Sequence, residues 1–276
     1  MSGQADSPDI SKAVSGVAMH GRRFASPRVI LALMLREMST SYGRSPGGYL
    51  WAIIEPVGVI LVLAFGFSLL VRHPSLGRSF ILFYASGYLV FSLYRSVEQV
   101  VTQSIRFSRP LLRYPAVSWI DAVFARFLLS FLTHVLIMFL ILGGLYLVLG
   151  EYAVIDMRPI ALAVLLAGFL GLGVGTLNCL LMGKFPVWQS AYHIVTRPLM
   201  LASAVLYVLE DLSGDAATIL WWNPLVHLTG LMRAGLYSTY HPQYISITYV
   251  AGLALGTFTV GLLFLHAYHS DLINKE

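Results

Sequence analysis

The sequence predicts an all-α polytopic membrane protein, and three observations carry that reading. Hydrophobic residues make up 57% of the 276-residue chain and charged residues only 11%, against roughly 45–50% and about 25% in soluble domains. Mean hydropathy is +0.75, which leaves more apolar surface than a water-soluble fold of this length could bury. Stretches of the roughly 20 apolar residues that cross hydrocarbon recur along the chain, and Lys and Arg gather in alternate connections between them.

The elements follow in order. Residues 1–23 are polar and mixed in charge. They read as a cytoplasmic tail, with no basic stretch leading into a short apolar one that would mark a cleavable signal peptide. Residues 24–47 set Val29, Leu33, Leu35 and Met38 among Arg28, Arg36 and Arg44. This pattern suits an amphipathic helix lying in the inner interface with its arginines toward anionic head groups; a plain basic anchor is the simpler alternative. Tyr49 and Trp51 mark the point where hydrocarbon begins. The transmembrane domain, 48–270, is expected to hold six spans: Trp51–Val71, Phe80–Thr102, Ala122–Val148, Pro159–Met182, Tyr192–Leu209 and Ile245–His266. The third is long enough to tilt. Residues 271–276 form a second cytoplasmic tail.

Charge fixes the orientation. Arg22, Arg23, Arg28, Arg36 and Arg44 precede the first span, Arg106, Arg109 and Arg113 separate the second and third, and Lys184 and Lys275 follow the fourth and sixth. The opposite connections carry Glu151, Asp156, Glu210, Asp211 and Asp215. Both termini are therefore expected in the cytoplasm. Arg72 and Arg78 run against the pattern, and an even number of spans supports the same orientation. The net charge of +5 belongs to this arrangement rather than to nucleic-acid binding.

Several segments carry chemistry. Tyr84, Tyr88, Phe91, Arg95, Glu98 and Thr102 fall on one helical face of the second span. Placing Arg95 or Glu98 at mid-bilayer costs roughly 2.5–3.5 kcal/mol. Either this face lines a conduit, with Arg95 meeting acidic groups, or Arg95 simply pairs with Glu98 in a helix contact. His193, Arg197 and Tyr207 form a similar face on the fifth span, where Pro198 can kink the helix. Arg197 needs an acid on another helix or an anionic ligand. Trp221 and Trp222, further candidates for the conduit, open an aromatic stretch within 210–244, which reads as a re-entrant outer hairpin between the fifth and sixth spans. His134 is expected to hydrogen-bond across to another helix, and Gly168, Gly171, Gly173 and Gly175 to admit close helix approach.

The short run from Ser104 to Pro115 mixes basic and apolar side chains and suits insertion into a partner's groove. Its candidate docking residues are Arg106, Phe107, Pro110, Leu111, Leu112, Arg113 and Tyr114. The chain has no G-x-x-x-x-G-K-[ST] phosphate loop, since Gly183-Lys184 lacks both the upstream glycine and the following hydroxyl. No histidine pair at metal spacing and no Ser/His/Asp set can be argued either. The chain therefore reads as no enzyme and holds no cofactor of its own. Any ATP-driven work falls to another chain. Cys179 is the single cysteine, which excludes an intramolecular disulfide.

The run from Leu35 to Pro56 closely resembles the opening of ABC-2-type permeases of capsular polysaccharide export (the KpsM type) and, more distantly, of O-antigen permeases. Leu112-Arg113-Tyr114-Pro115 with Val117, Asp121 and Arg126 resembles their cytoplasmic approach to the third span. Trp222-Asn223-Pro224-Leu225-Val226-His227 with Arg233 resembles their Asn-Pro-Leu element, and Tyr237, Tyr240, Tyr249 and Gly261–Phe264 continue the pattern. One departure is Leu209-Glu210-Asp211-Leu212, where the family carries a Leu-Pro step. The resemblance implies an inner-membrane homodimer joined to two ATP-binding-cassette ATPase subunits, which bind ATP and Mg. It also implies a lipid-linked acidic polysaccharide as substrate, with a periplasmic co-polymerase and an outer-membrane export protein as partners. Arg28, Arg36 and Arg44 would border the place where the lipid-linked substrate enters. Within transport, O-antigen, teichoic acid or a small hydrophobic molecule are alternative substrates. A stand-alone secondary transporter or channel is the alternative of a different class. The lack of an inverted repeat and the amphipathic cytoplasmic segment weigh against it.

Overall fold

The computed structural model describes residues 25–41, 48–112, 117–149 and 155–274, and among these the regular elements are all helical. In chain order they are α1 (Ala25–Ser41), α2 (Gly48–Ser68), α3 (Phe80–Thr102), α4 (Ser104–Leu112), α5 (Trp119–Leu149), α6 (Met157–Lys184), α7 (Pro186–Thr196), α8 (Leu199–Ala202), α9 (Asp215–Trp221), α10 (Pro224–Leu236) and α11 (Ile247–Asn274). A 3₁₀ turn at Leu209–Asp211 sits between α8 and α9. Among the described residues, five helices are long and apolar enough to cross a membrane: α2, α3 running on into α4, α5, α6 and α11.

α6 is the central helix, packed against α11, α3 and α10. Its glycines explain how. A Cβ at Gly175 would stand 2.9 Å from the Glu98 carbonyl oxygen, and one at Gly171 2.9 Å from that of Tyr94, so this face of α6 meets α3 backbone to backbone. A Cβ at Gly173 would stand 2.6 Å from the Ala254 carbonyl oxygen of α11. The expected small-residue contacts are thus present on two sides of one helix.

The expected continuous fifth span, Tyr192–Leu209, is corrected. Its helix begins earlier, at Pro186, and stops at Thr196. Pro198 has no amide hydrogen to donate and its ring obstructs the preceding turn; one short turn, α8, follows before the helix ends. Ala204, fully buried, then takes a positive φ of 55°, which a non-glycine residue adopts only when its surroundings enforce it.

Those surroundings come from α10. Asn223 caps that helix by accepting from the Leu225 amide (3.1 Å), while its Nδ2 donates to the Ala202 carbonyl (2.8 Å). Thr229 donates to the Ser203 carbonyl (3.1 Å). Arg233, 1% exposed, donates from Nη2 to Val205 (2.9 Å) and from Nη1 to Tyr207 (2.6 Å), its guanidinium 4.2 Å from the Phe83 ring. Polar side chains of α10 thus take the place of the helix hydrogen bonds that the broken segment has given up. The Asn-Pro-Leu element owes its residue types to this double use of Asn223, with Pro224 in the first helical turn, where a missing amide hydrogen costs nothing.

α1 covers residues 25–41 of the expected interfacial helix. Residues 1–24, Arg44, the stretch 113–116 with Arg113 and Tyr114, Glu151 and residues 275–276 lie outside the described residues, whereas 271–274 of the expected C-terminal tail continue α11.

Candidate functional site

The site is built on α3. Glu98, 2% exposed, accepts a hydrogen bond from Arg95 Nη1 at 2.9 Å and from Thr102 Oγ1 at 3.0 Å, both on its own helix. Asn178 of α6 donates to the same carboxylate at 3.1 Å, and Trp188 of α7 donates to the Asn178 side-chain oxygen at 3.0 Å. The close approach made possible by Gly171 and Gly175 brings Asn178 within reach. One buried carboxylate therefore ties together α3, α6 and α7, which is how a charge survives in an apolar setting.

Arg95 keeps 25% of its side chain exposed and borders two cavities. One, about 680 Å³, is lined by Arg95, Glu98, Gln99, Arg106, Gln189 and His193. The other, about 670 Å³, is lined by Trp51, Tyr88, Phe91, Ser92, Arg95 and His134. Arg95 and Gln99 are common to both. The chemistry on offer is recognition: a guanidinium for anions, amides and hydroxyls for polar ligands, and aromatic planes for flat apolar faces.

The sequence-derived face of α3 therefore divides. Tyr88, Phe91 and Arg95 share a cavity; Arg95 and Glu98 share the other with His193. Tyr84 is 3% exposed and packs against Phe67, Phe80 and Phe83 instead. Arg197 is exposed at the end of α7, a helix with no buried residue. Tyr207 donates to the Leu201 carbonyl at 2.9 Å. Trp221 donates to the Tyr244 carbonyl at 3.0 Å and stacks on Tyr249, while Trp222 is 64% exposed. His134 is bonded within its own helix rather than across to another. Its Nδ1 lies 2.9 Å from the Ser130 carbonyl, which can only accept, so the proton is on Nδ1.

On α1, Arg28 and Arg36 are exposed at the surface. Glu37 turns inward and pairs with Arg126 of α5 at 2.9 Å. Burial pushes the Glu37 carboxyl above its usual range, and the neighbouring Arg126 offsets part of that shift. On α4, Arg106, Phe107 and Pro110 are exposed, whereas Leu111 and Leu112 are half-buried. Leu112 packs against the buried cluster that contains Val97, Val101 and Leu272, and Leu111 lines the same small cavity as Leu33 and Glu37. The outward face of this helix is thus carried by Arg106, Phe107 and Pro110.

Sequence reasoning missed Asn178, Trp188 and Glu37. A signal existed for Asn178, a lone amide about one helical turn beyond Gly175 and two beyond Gly171, on the face of a span that small residues mark as a contact. Glu37 and Trp188 gave none, because each meets its partner on a different helix.

Comparison with known proteins bears on the whole frame. Residues 28–237 match the family model described as ABC-2 type transporter. The chain is 30% identical over 232 residues to the polysialic acid transport protein KpsM of Escherichia coli, covering 84% of this chain and 90% of that one. It is 27% identical over 238 residues to the capsule polysaccharide export inner-membrane protein CtrC of Neisseria meningitidis serogroup A, covering 84% and 90%. It is 25% identical over 236 residues to the capsule polysaccharide export inner-membrane protein BexB of Haemophilus influenzae, covering 86% and 89%. With the family model matching most of its length, this chain belongs to the ABC-2 type transporter family.

Proposed function

We propose that this chain is the permease subunit of an ATP-driven exporter that moves lipid-linked acidic capsular polysaccharide across the bacterial inner membrane. The observation that carries the reading is similarity, over more than four-fifths of the chain, to inner-membrane proteins named for capsule export. Two copies form the conduit and bind two ATP-binding-cassette ATPase subunits, which hold ATP and Mg. A periplasmic co-polymerase and an outer-membrane export protein take up the polymer. The exposed face of α4, with Arg106, Phe107 and Pro110, docks on the ATPase. α1 lies in the inner interface, and Arg28 and Arg36 border the place where the lipid-linked substrate enters; Arg44 is the third arginine of that set.

Both termini lie in the cytoplasm, and six crossings are completed by a broken fifth one. α7 spans about 16 Å at 1.5 Å per residue, roughly half the hydrocarbon thickness. The irregular stretch after it is supported by its burial, at Ser203, Ala204, Val205, Val208 and Leu209, since irregular backbone is tolerated at membrane depth against protein. Residues 210–244 then form a re-entrant hairpin at the outer face.

Tyr88, Phe91 and Arg95 form the conduit wall. A sliding polymer must be bound weakly enough at each step to leave it, and ring planes with a single guanidinium provide such contacts. Cysteine accessibility tests this directly. In a Cys179→Ala background, cysteines at 88 and 91 are expected to react with a membrane-impermeant thiol reagent and a cysteine at 84 to be protected. Protection at 88 and 91 would remove this face of α3 from the path.

A further inference from the structure

Among the described residues, Arg126 is a buried cation that meets three separate parts of the cytoplasm-facing assembly proposed above. Its Nη2 pairs with Glu37 of α1 at 2.9 Å. Its Nη1 donates to the Gln103 carbonyl, at the joint between α3 and α4, at 3.3 Å. Its guanidinium carbon lies 4.3 Å above the ring of Phe107 on α4. Arg126 itself stands on α5, is 8% exposed, and its Nε makes no hydrogen bond among the described residues. The orientation of the group is therefore set by those contacts. Leu33, Ser108, Leu111 and Ala122 close tightly around the same joint.

From this arrangement we infer that Arg126 is a positioning residue that links displacement of α4 to displacement of α1. The inference rests on the reading of α4 as the ATPase-docking element. One rigid guanidinium holds both contacts, 4.3 Å from the Phe107 ring and 2.9 Å from Glu37, so it cannot follow that ring without disturbing its pairing with Glu37. Lysine could keep the charge but would lose the plane. A shift of α4 on the ATPase is thus carried to the amphipathic helix, the element that meets the lipid-linked substrate, with no bond made or broken. Glu37 belongs to the same device: it is the only described carboxylate in an ion pair with Arg126, and it turns inward from a helix whose arginines face out. Coupling of this kind is a free energy between two places, and a single residue carries a measurable share only if both places bias its position.

The test uses the full complex of this chain with its ATPase in lipid nanodiscs. A reporter cysteine replaces Leu31, on the exposed side of α1, in a Cys179→Ala background and carries an environment-sensitive fluorophore. Addition of ATP is expected to change its signal in the otherwise unaltered complex. Arg126→Gln and Glu37→Gln are each expected to shrink that change about fivefold or more, with ATP hydrolysis still present. The exchanged pair Glu37→Arg with Arg126→Glu should recover most of it. An undiminished ATP-dependent signal in Arg126→Gln overturns the inference. Should that variant fail to assemble, Arg126→Lys, which keeps the charge but loses the planar group, carries the same expectation and the same refutation. A separate arm guards the underlying reading. If Arg106→Glu with Pro110→Asp still retains the ATPase on purification, α4 is not the docking element. If that variant loses the ATPase while Arg126→Gln keeps the signal, only the linkage fails.

Discussion

Arg233→Met is expected to lower the stability of the purified protein by about 2–3 kcal/mol, read as a loss of thermal stability in detergent. The side chain carries no carboxylate partner among the described residues; what it holds are two carbonyls, Val205 and Tyr207, in the irregular stretch after α8. Methionine fills the volume and removes the cost of burying a charge, which offsets part of the loss. The carbonyls have no such relief, because Ala204 with its positive φ fixes them where no helix can bond them. Each costs about 1–3 kcal/mol when left buried and unpaired. Arg233→Lys should fall between, since one ammonium can reach one carbonyl well but not both. If Arg233→Met melts with the unaltered protein, α10 does not support the broken segment.

Glu98→Ala is the second large effect, about 3 kcal/mol. It removes the acceptor shared by Arg95, Thr102 and Asn178 and leaves the Asn178 amide facing a void between α3 and α6. Arg95→Ala should cost less, about 1 kcal/mol, since the carboxylate retains neutral donors and the lost side chain was partly exposed to two cavities. The two variants are therefore expected to separate stability from transport: Glu98→Ala as a folding defect, Arg95→Ala as a near-normal protein with reduced export. Thermal unfolding of both, beside polymer export by cells carrying each, checks the contrast. Equal destabilisation would mean that Arg95 is chiefly a structural partner of Glu98.

Much of the frame was legible because hydrophobic length is a local property. The expected span Phe80–Thr102 coincides with α3, and Ala122–Val148 and Pro159–Met182 lie within α5 and α6. The fifth span was misread for a physical reason. Pro198 was visible in the sequence, but the groups that let the chain abandon helical bonding, Asn223, Thr229 and Arg233, lie 20 or more residues further on and act only through tertiary contact. The same limit applied to the site. Arg95 and Glu98 could be paired from their spacing, while Asn178 reaches Glu98, and Trp188 reaches Asn178, only because glycines let α6 approach, which spacing along one helix cannot reveal. On α4 the docking candidates were read from composition, and burial then separated Arg106, Phe107 and Pro110 from the inward Leu111 and Leu112.

The most direct measurement is the fate of the polymer when this chain is deleted from its native host. Acidic polysaccharide, quantified by its acidic sugar in surface and intracellular fractions, is expected to disappear from the surface and accumulate inside in lipid-linked form. A plasmid copy of the chain should restore the normal distribution. Unchanged surface polymer without intracellular accumulation would contradict a role in its export.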